Sequence, residues 1–230
     1  MIVPGIVLEA GARVLLPESE ARHLRVSRVG PGAELVLLDG LGARAAAALD
    51  ASGREAVVRD LLPPRGEPRS EVTVLLGVGE LPRVEWAVEK GTECGAAAFL
   101  LVAAVRSQRA HVAAAGSRLE RLRRIAAAAA KQCDRTLVPA VRGPLPLAEA
   151  LAGAAVRLLV ARPGAPALPR EGAVPDRFSV VIGPEGGFDS SEQSLLDAAG
   201  AVPFGLGPRI LRLETAVVAA LARLVDDGPR

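Results

Sequence analysis

The sequence predicts an α/β protein in two parts, a small β-rich domain over residues 1–66 and a larger domain over residues 71–230 built on a mostly parallel sheet. Three observations carry that expectation. In the first part, short β-like runs recur between turn signals at roughly ten-residue spacing, the rhythm of a small barrel or sandwich. The stretch LLPPRGEPRS, Leu61 to Ser70, then breaks the pattern with three prolines and suits a linker. Beyond it, continuous apolar runs alternate with amphipathic segments, as they do where helices cover both faces of a parallel sheet.

The elements follow in order. The first part offers ARVLLP, AELVLLDG, RAAAALDA and REAVVRDLL as strands. After the linker, VTVLLGV reads as a strand, Arg83 to Cys94 as a helix, AAFLLVAAV as a strand, and Ser117 to Cys133 as a helix whose alanine run Ala126 to Ala130 favours that state. A short helix near Leu147 precedes the strands VRLLVA and FSVVIG, a helix from Ser190 to Ala199, a short strand in AVPFGLG and a last helix through ETAVVAALARLV. Ligands of such sheets bind at the carboxyl ends of strands, and two glycine-rich turns fall there: IGPEGG and GLGPRILRLETA.

Composition narrows the function classes. Half the chain is apolar, enough for a substantial core. The N-terminus lacks a basic segment leading into a long apolar one, and the longest apolar run, GAAAFLLVAAV, is too short to span a bilayer, so a cytoplasmic protein without a membrane partner is expected. Cys94 and Cys133 lie far apart and suggest buried thiols rather than a disulfide or zinc framework. With only His23 and His111 there is no histidine cluster, and no metal is expected; His111 reads as a loop residue with a structural or surface role.

Charge is unevenly spread. From Met1 to Pro68, eight arginines face nine acidic residues, whereas from Val105 to Arg142 nine basic residues face only Glu120 and Asp134. That cluster fits either a polyanionic partner such as nucleic acid or a solvated arginine face on the helix from Ser117 to Cys133.

The first glycine turn resembles a phosphate loop only superficially. Pro184 has no N–H to donate, and neither a G-x-G-x-x-G pattern nor a terminal G-K-[ST] is present. Asp189 and Glu192 form a D-x-x-E helix start, in which Asp189 caps free N–H groups and Glu192 reaches back. Carboxylates at the helix start repel phosphate, so a ligand with less negative charge is expected. The second turn brings Arg209, Arg212 and Glu214 together at the start of an apolar helix; Glu214 and Thr215 either complement the helix N-terminus or take part in chemistry.

VVIGPEGGFDSSE followed by LGPRILRLETA resembles the paired signatures of the SPOUT-class RNA methyltransferases, and specifically the RsmE family, which methylates N3 of uridine 1498 in 16S ribosomal RNA. VEWAVEKGTECG resembles the first helix of that family's catalytic domain, RSQ at Arg106 to Gln108 its R-S turn, AAAAAKQCDRTLVPAV its A-x-Q-x-x-R-x-x-x-P element, and HLRVSRVGPGAEL its PUA-like segment. This chain departs in carrying Lys131 where the element has an acidic residue and Leu213 where threonine is commoner.

The resemblance implies a C-terminal SPOUT trefoil-knot domain preceded by a PUA-like β-barrel, acting as a homodimer on the small ribosomal subunit with S-adenosyl-L-methionine. The cofactor residues it implies are Val160, Ile182, Gly183, Pro184, Glu185, Gly186 and Gly187 at the first turn, and Leu206, Gly207, Ile210, Leu211, Leu213, Thr215 and Ala216 at the second. For the RNA it implies Arg22, His23, Arg25 and Arg28 in the first domain, with Arg106, Arg109, Gln132 and Arg135 in the second. Arg209 or Arg212 is expected to stabilise the uracil oxygens, and Glu214 to order the loop or accept the N3 proton. The alternative is a non-catalytic RNA-binding assembly factor on the same scaffold; a nucleotide-dependent phosphotransferase is disfavoured by the missing lysine and by Pro184.

Overall fold

The computed structural model describes residues 1–154, 157–167 and 177–225. The chain divides into two compact units, Met1–Glu67 together with Ala130–Val138, and Pro68–Ala129 together with Pro139–Arg230.

In the first unit, β1 (Arg13–Leu15), β2 (Glu34–Leu38), β3 (Arg44–Leu49) and β4 (Glu55–Leu62) form an antiparallel sheet in the order β1-β4-β3-β2. Alternate residues of β3, Ala45, Ala47 and Leu49, turn inward with Ala56 and Val58 of β4, as the period of two requires. The inward residues of β3 are mostly small, and Leu16, Leu24 and Leu37 fill the same cluster.

Leu24 belongs to α1 (Glu18–Val26), a helix not expected from the sequence. Its signals are electrostatic: Glu18 and Glu20 stand in the first turn, His23 and Arg25 in the last, each sign at the end of the helix dipole that favours it. The helix closes at Arg28, whose φ of 55° lies in the left-handed region usually left to glycine, with the Val29 N–H bonded back to the Leu24 carbonyl at 3.0 Å.

The linear pattern assigned residues 130–138 to the second part, yet they cluster with the first. The cause is Glu67. One of its oxygens accepts from Arg135 Nη2 at 2.8 Å and the other from the Leu137 N–H at 2.7 Å. Lys131 is likewise held within this unit, 2.7 Å from Glu20 Oε2.

The second unit contains a six-stranded sheet. Its elements are β5 (Glu71–Gly77), α2 (Leu81–Glu93), β6 (Ala96–Val102), α3 (Arg109–Ser117), α4 (Leu119–Gln132), β7 (Ala140–Leu145), α5 (Leu147–Ala152), β8 (Leu158–Ala161), β9 (Arg177–Ile182), α6 (Ser190–Ala198), β10 (Val202–Phe204) and α7 (Leu213–Leu224), with α4 continuing past Ala129. All neighbouring strands are parallel, in the order β10-β8-β9-β5-β6-β7, as the continuous apolar runs predicted. The central strands β5 and β9 are almost wholly buried, which two covered faces demand.

Two elements here were not anticipated. β7 carries Gly143 and Pro144, which argue against an interior strand; it lies at the sheet edge, where proline is tolerated. His111 lies not in a loop but within α3, whose run of alanines supports a helix.

The chain after β10 lies against the loop after β8. Arg162 donates its N–H to the Phe204 carbonyl and Gly205 donates its own to the Pro166 carbonyl, both at 2.9 Å. A Cβ on Gly205 would overlap the Ala165 carbonyl oxygen, so only glycine allows this approach.

Candidate active site

The strands β8, β9 and β10 end on the same side of the sheet, and their carboxyl ends open into a cavity of about 320 Å³. β9 feeds the first glycine turn. It is closed by the Gly187 N–H on the Pro184 carbonyl at 2.8 Å, and Gly187 takes a φ of 66°. Phe188 then turns inward, and α6 begins with the capping box read from the sequence: Asp189 Oδ1 accepts from the Glu192 N–H at 2.8 Å, and Glu192 Oε2 accepts from the Asp189 N–H at 3.0 Å. The Glu192 N–H, followed by the Ser191 hydroxyl, holds the Asp189 carboxyl below the usual carboxylate range.

Glu192 does more than cap. It is only 4% exposed, and its Oε1 accepts from the Val105 N–H at 2.9 Å. The turn after β6 is thereby fixed beside the glycine turn. Ser107 Oγ anchors its other side on the Val78 carbonyl at 2.7 Å, and Arg106 Nη1 donates to the Gly186 carbonyl at 3.1 Å.

From the first turn, Ile182, Gly183, Pro184, Glu185 and Gly187 line the cavity, with Val160 from β8. From the second, Leu206, Gly207, Ile210, Leu211, Leu213 and Ala216 do so. Gly186 and Thr215 are not part of the lining: Gly186 is engaged by Arg106, and Thr215 is exposed on α7. The walls are largely aliphatic, with Arg106, Arg162, Arg209 and Glu185 as the charged groups. Such a pocket suits a ligand with a flat apolar portion and separated charges.

Residues 66–225 match the RNA methyltransferase domain family. The ribosomal RNA small subunit methyltransferase E of Mycobacterium bovis is 35% identical over 225 residues, covering 93% of this chain and 86% of its own. The chain belongs to that family. A relative of the same name from Synechocystis is 31% identical, with 97% of this chain and 76% of the relative covered. The crystal structure of a ribosomal RNA small subunit methyltransferase E from Neisseria gonorrhoeae bound to S-adenosyl methionine superposes with a TM-score of 0.85 at 30% identity, covering 96% of this chain and 94% of that one. The RsmE resemblance drawn from the two turns is thus borne out, and with it a PUA-like N-terminal and a SPOUT C-terminal architecture.

Within this RsmE-family chain the three residues expected to act in chemistry separate. Arg209 lines the cavity, whereas Arg212 is exposed at the N-cap of α7. Glu214 lies outside the lining: Oε1 accepts from Arg83 Nη1 at 3.2 Å, and Oε2 is buried with no hydrogen-bond partner among the described residues.

The residues expected at RNA also divide. Arg22, His23, Arg25 and Arg28 are exposed on or just beyond α1, with Arg25 paired to Glu18 at 2.8 Å. Arg109 and Gln132 are exposed, while Arg106 turns to the cavity. Arg135 is a correction: it is 3% exposed and bound to Glu67, so its guanidinium is a buried structural group and cannot meet a phosphate. The basic cluster is partly neutralised in the same way. Arg121 forms a two-pronged pair with Glu85 at 2.5 and 2.9 Å, which also lowers the Glu85 carboxyl's pKa, and Arg123 binds Glu120 and the Val141 carbonyl.

Sequence reasoning missed Ala161, Arg162, Pro163, Phe188, Gln193 and Leu196 in the lining. Phe188 carried a signal, as an aromatic residue directly after the glycine turn in a chain with four phenylalanines. Arg162 and Pro163 carried none, because only strand order brings the end of β8 beside β9. Among the described residues no group of three or more His, Cys, Asp or Glu is arranged for a metal, and no helix is long and apolar enough to cross a membrane.

Proposed function

We propose that this chain uses S-adenosyl-L-methionine to methylate N3 of a uridine in 16S ribosomal RNA, by family resemblance uridine 1498, in the small ribosomal subunit. The observation that carries the reading is the cavity shaped jointly by the two signature turns. Its aliphatic walls, Val160, Ile182, Leu206 and Leu211, fit an adenine and a thioether chain, and Arg106 and Arg162 offer cations for a carboxylate. The start of α6 has its N–H groups occupied by the Asp189 and Glu192 carboxylates, so it offers no bare dipole for a phosphate. When bound, the cofactor supplies an electrophilic methyl group on a sulfonium.

The chain's own residues supply position and electrostatics. Loss of the N3 proton to solvent water leaves negative charge on the uracil oxygens, and Arg209, at the cavity wall, stabilises it until N3 takes the methyl group. Arg212, exposed at the N-cap of α7 next to the lining residues Leu211 and Leu213, serves the incoming RNA. Glu214, tied to Arg83, orders the start of α7 rather than taking the proton. Arg22, His23, Arg25, Arg28 and Arg109 contact phosphates. The homodimer and the cytoplasmic, metal-free setting belong to the same reading.

The test uses small subunits from a strain lacking the cognate methyltransferase. Purified protein and labelled cofactor should place one methyl group on N3 of a single uridine, mapped by nuclease digestion and mass spectrometry. Binding of the subunit without calorimetric binding of S-adenosyl-L-methionine would favour the assembly-factor alternative, and methylation of a different atom would refute the N3 assignment.

A further inference from the structure

Arg83, in the first turn of α2, is absent from the cavity lining and from both signature motifs. Its guanidinium nevertheless meets a carboxylate from each of them. Nη1 donates to Glu214 Oε1 at 3.2 Å, and Nε lies 3.5 Å from Glu185 Oε1. Nε also donates to Glu80 Oε2 at 3.1 Å, so three carboxylates converge on one cation. The Arg83 side chain is 23% exposed and that of Glu214 16%, which limits water at that pair, while Glu185, 44% exposed, meets Arg83 from the solvent side.

The backbone is arranged around the same contact. A Cβ on Gly79 would overlap the Glu185 carboxylate, so the glycine leaves the space in which that side chain reaches back. Glu185 itself belongs to the cavity wall, and Glu214 directly follows Leu213, another wall residue. Arg83 is therefore the point at which the turn after β9 and the turn before α7 are joined by charge.

We infer that Arg83 is a positioning residue that sets the separation of the two cofactor turns by neutralising Glu185 and Glu214 together. Without it the two carboxylates repel each other, and the turns lose the spacing at which both touch one ligand. A lysine supplies the charge but not the planar fork that reaches two carboxylates at once. The inference rests on the proposed use of S-adenosyl-L-methionine.

The experiment measures S-adenosyl-L-methionine affinity by calorimetry, methyl transfer under saturating cofactor, and thermal midpoint, for the parent, Arg83→Gln and Arg83→Lys, with Glu185→Gln added to complete a double-mutant cycle. Arg83→Gln should raise the cofactor Kd by tenfold or more, up to about a hundredfold, while kcat at saturation changes by less than about threefold. Arg83→Lys should recover part of the affinity, and Glu185→Gln should cost less affinity beside Arg83→Gln than alone. A folded Arg83→Gln protein with cofactor Kd within about twofold of the parent overturns the inference, as does a loss confined to kcat. A parent protein that binds no S-adenosyl-L-methionine refutes the functional reading instead, so the two failures are distinct.

Discussion

The two glycine-rich turns that frame the cavity are built to different standards. The turn from Gly183 to Gly187 is fastened on every side: its own closing hydrogen bond, the capping box behind it, the Arg106 guanidinium on Gly186, and Glu192 beneath. The stretch from Leu206 to Arg212 has no side-chain cap at the start of α7, and it holds the exposed Arg209 and Ile210, the latter 89% exposed, ahead of the half-buried Leu211. Both turns line the cavity, but the first is held by many hydrogen bonds while the second leaves Arg209 and Ile210 exposed at its rim. On the proposed function the first turn contributes mainly stability and the second chemistry, and substitutions can separate them.

The largest effect is expected from Glu192→Ala. It removes the acceptor of the part-buried Val105 and Asp189 N–H groups and should lower unfolding free energy by about 2 kcal/mol, read as a reduced urea midpoint at unchanged m-value. Arg209→Ala should do the reverse: a thermal midpoint close to the parent's, but single-turnover methylation slower by about a hundredfold. Equal losses of stability in both variants would erase the distinction between the turns.

Asp189→Ala should destabilise less than Glu192→Ala, and in a pH-dependent way. The folded-state pKa of Asp189 is depressed, so its contribution is complete above the unfolded value of about 3.9 and is lost as pH falls through the lower folded value. Parent and variant stabilities should therefore differ at neutral pH and converge in acid; a constant gap would remove the carboxylate from the explanation. The smallest effect is expected outside the site. Arg28→Gly relieves the left-handed backbone at the end of α1 and should raise stability by up to about 1 kcal/mol, while weakening binding to ribosomal RNA and flattening its salt dependence.

What was legible in the sequence followed from local chemistry. Asp189 and Glu192 stand three residues apart, and that spacing alone specifies the capping box. The apolar runs of β5 and β9 announced buried parallel strands, and Pro184 argued against a phosphate loop before any cavity was visible. Residues whose roles depend on distant partners were not legible. Arg135 reads as a basic residue in a basic stretch until Glu67, 68 positions earlier, is found beside it. Arg83 looks like an ordinary helix-surface residue, because its partner Glu214 is 131 positions away. The β7 strand was hidden by a proline that only its edge position permits.

The contact between Gly205 and Pro166 has a consequence for biosynthesis. Everything that completes the cavity from Leu206 onward is made after that point, so the first turn is synthesised before its counterpart. A product truncated there carries a capped α6 and half a binding site, and has no second surface with which to grip a ligand. Ligand binding thereby requires a chain extended at least through Ala216, the last residue of the cavity lining, and stabilisation by the ligand is reserved for chains that have reached it.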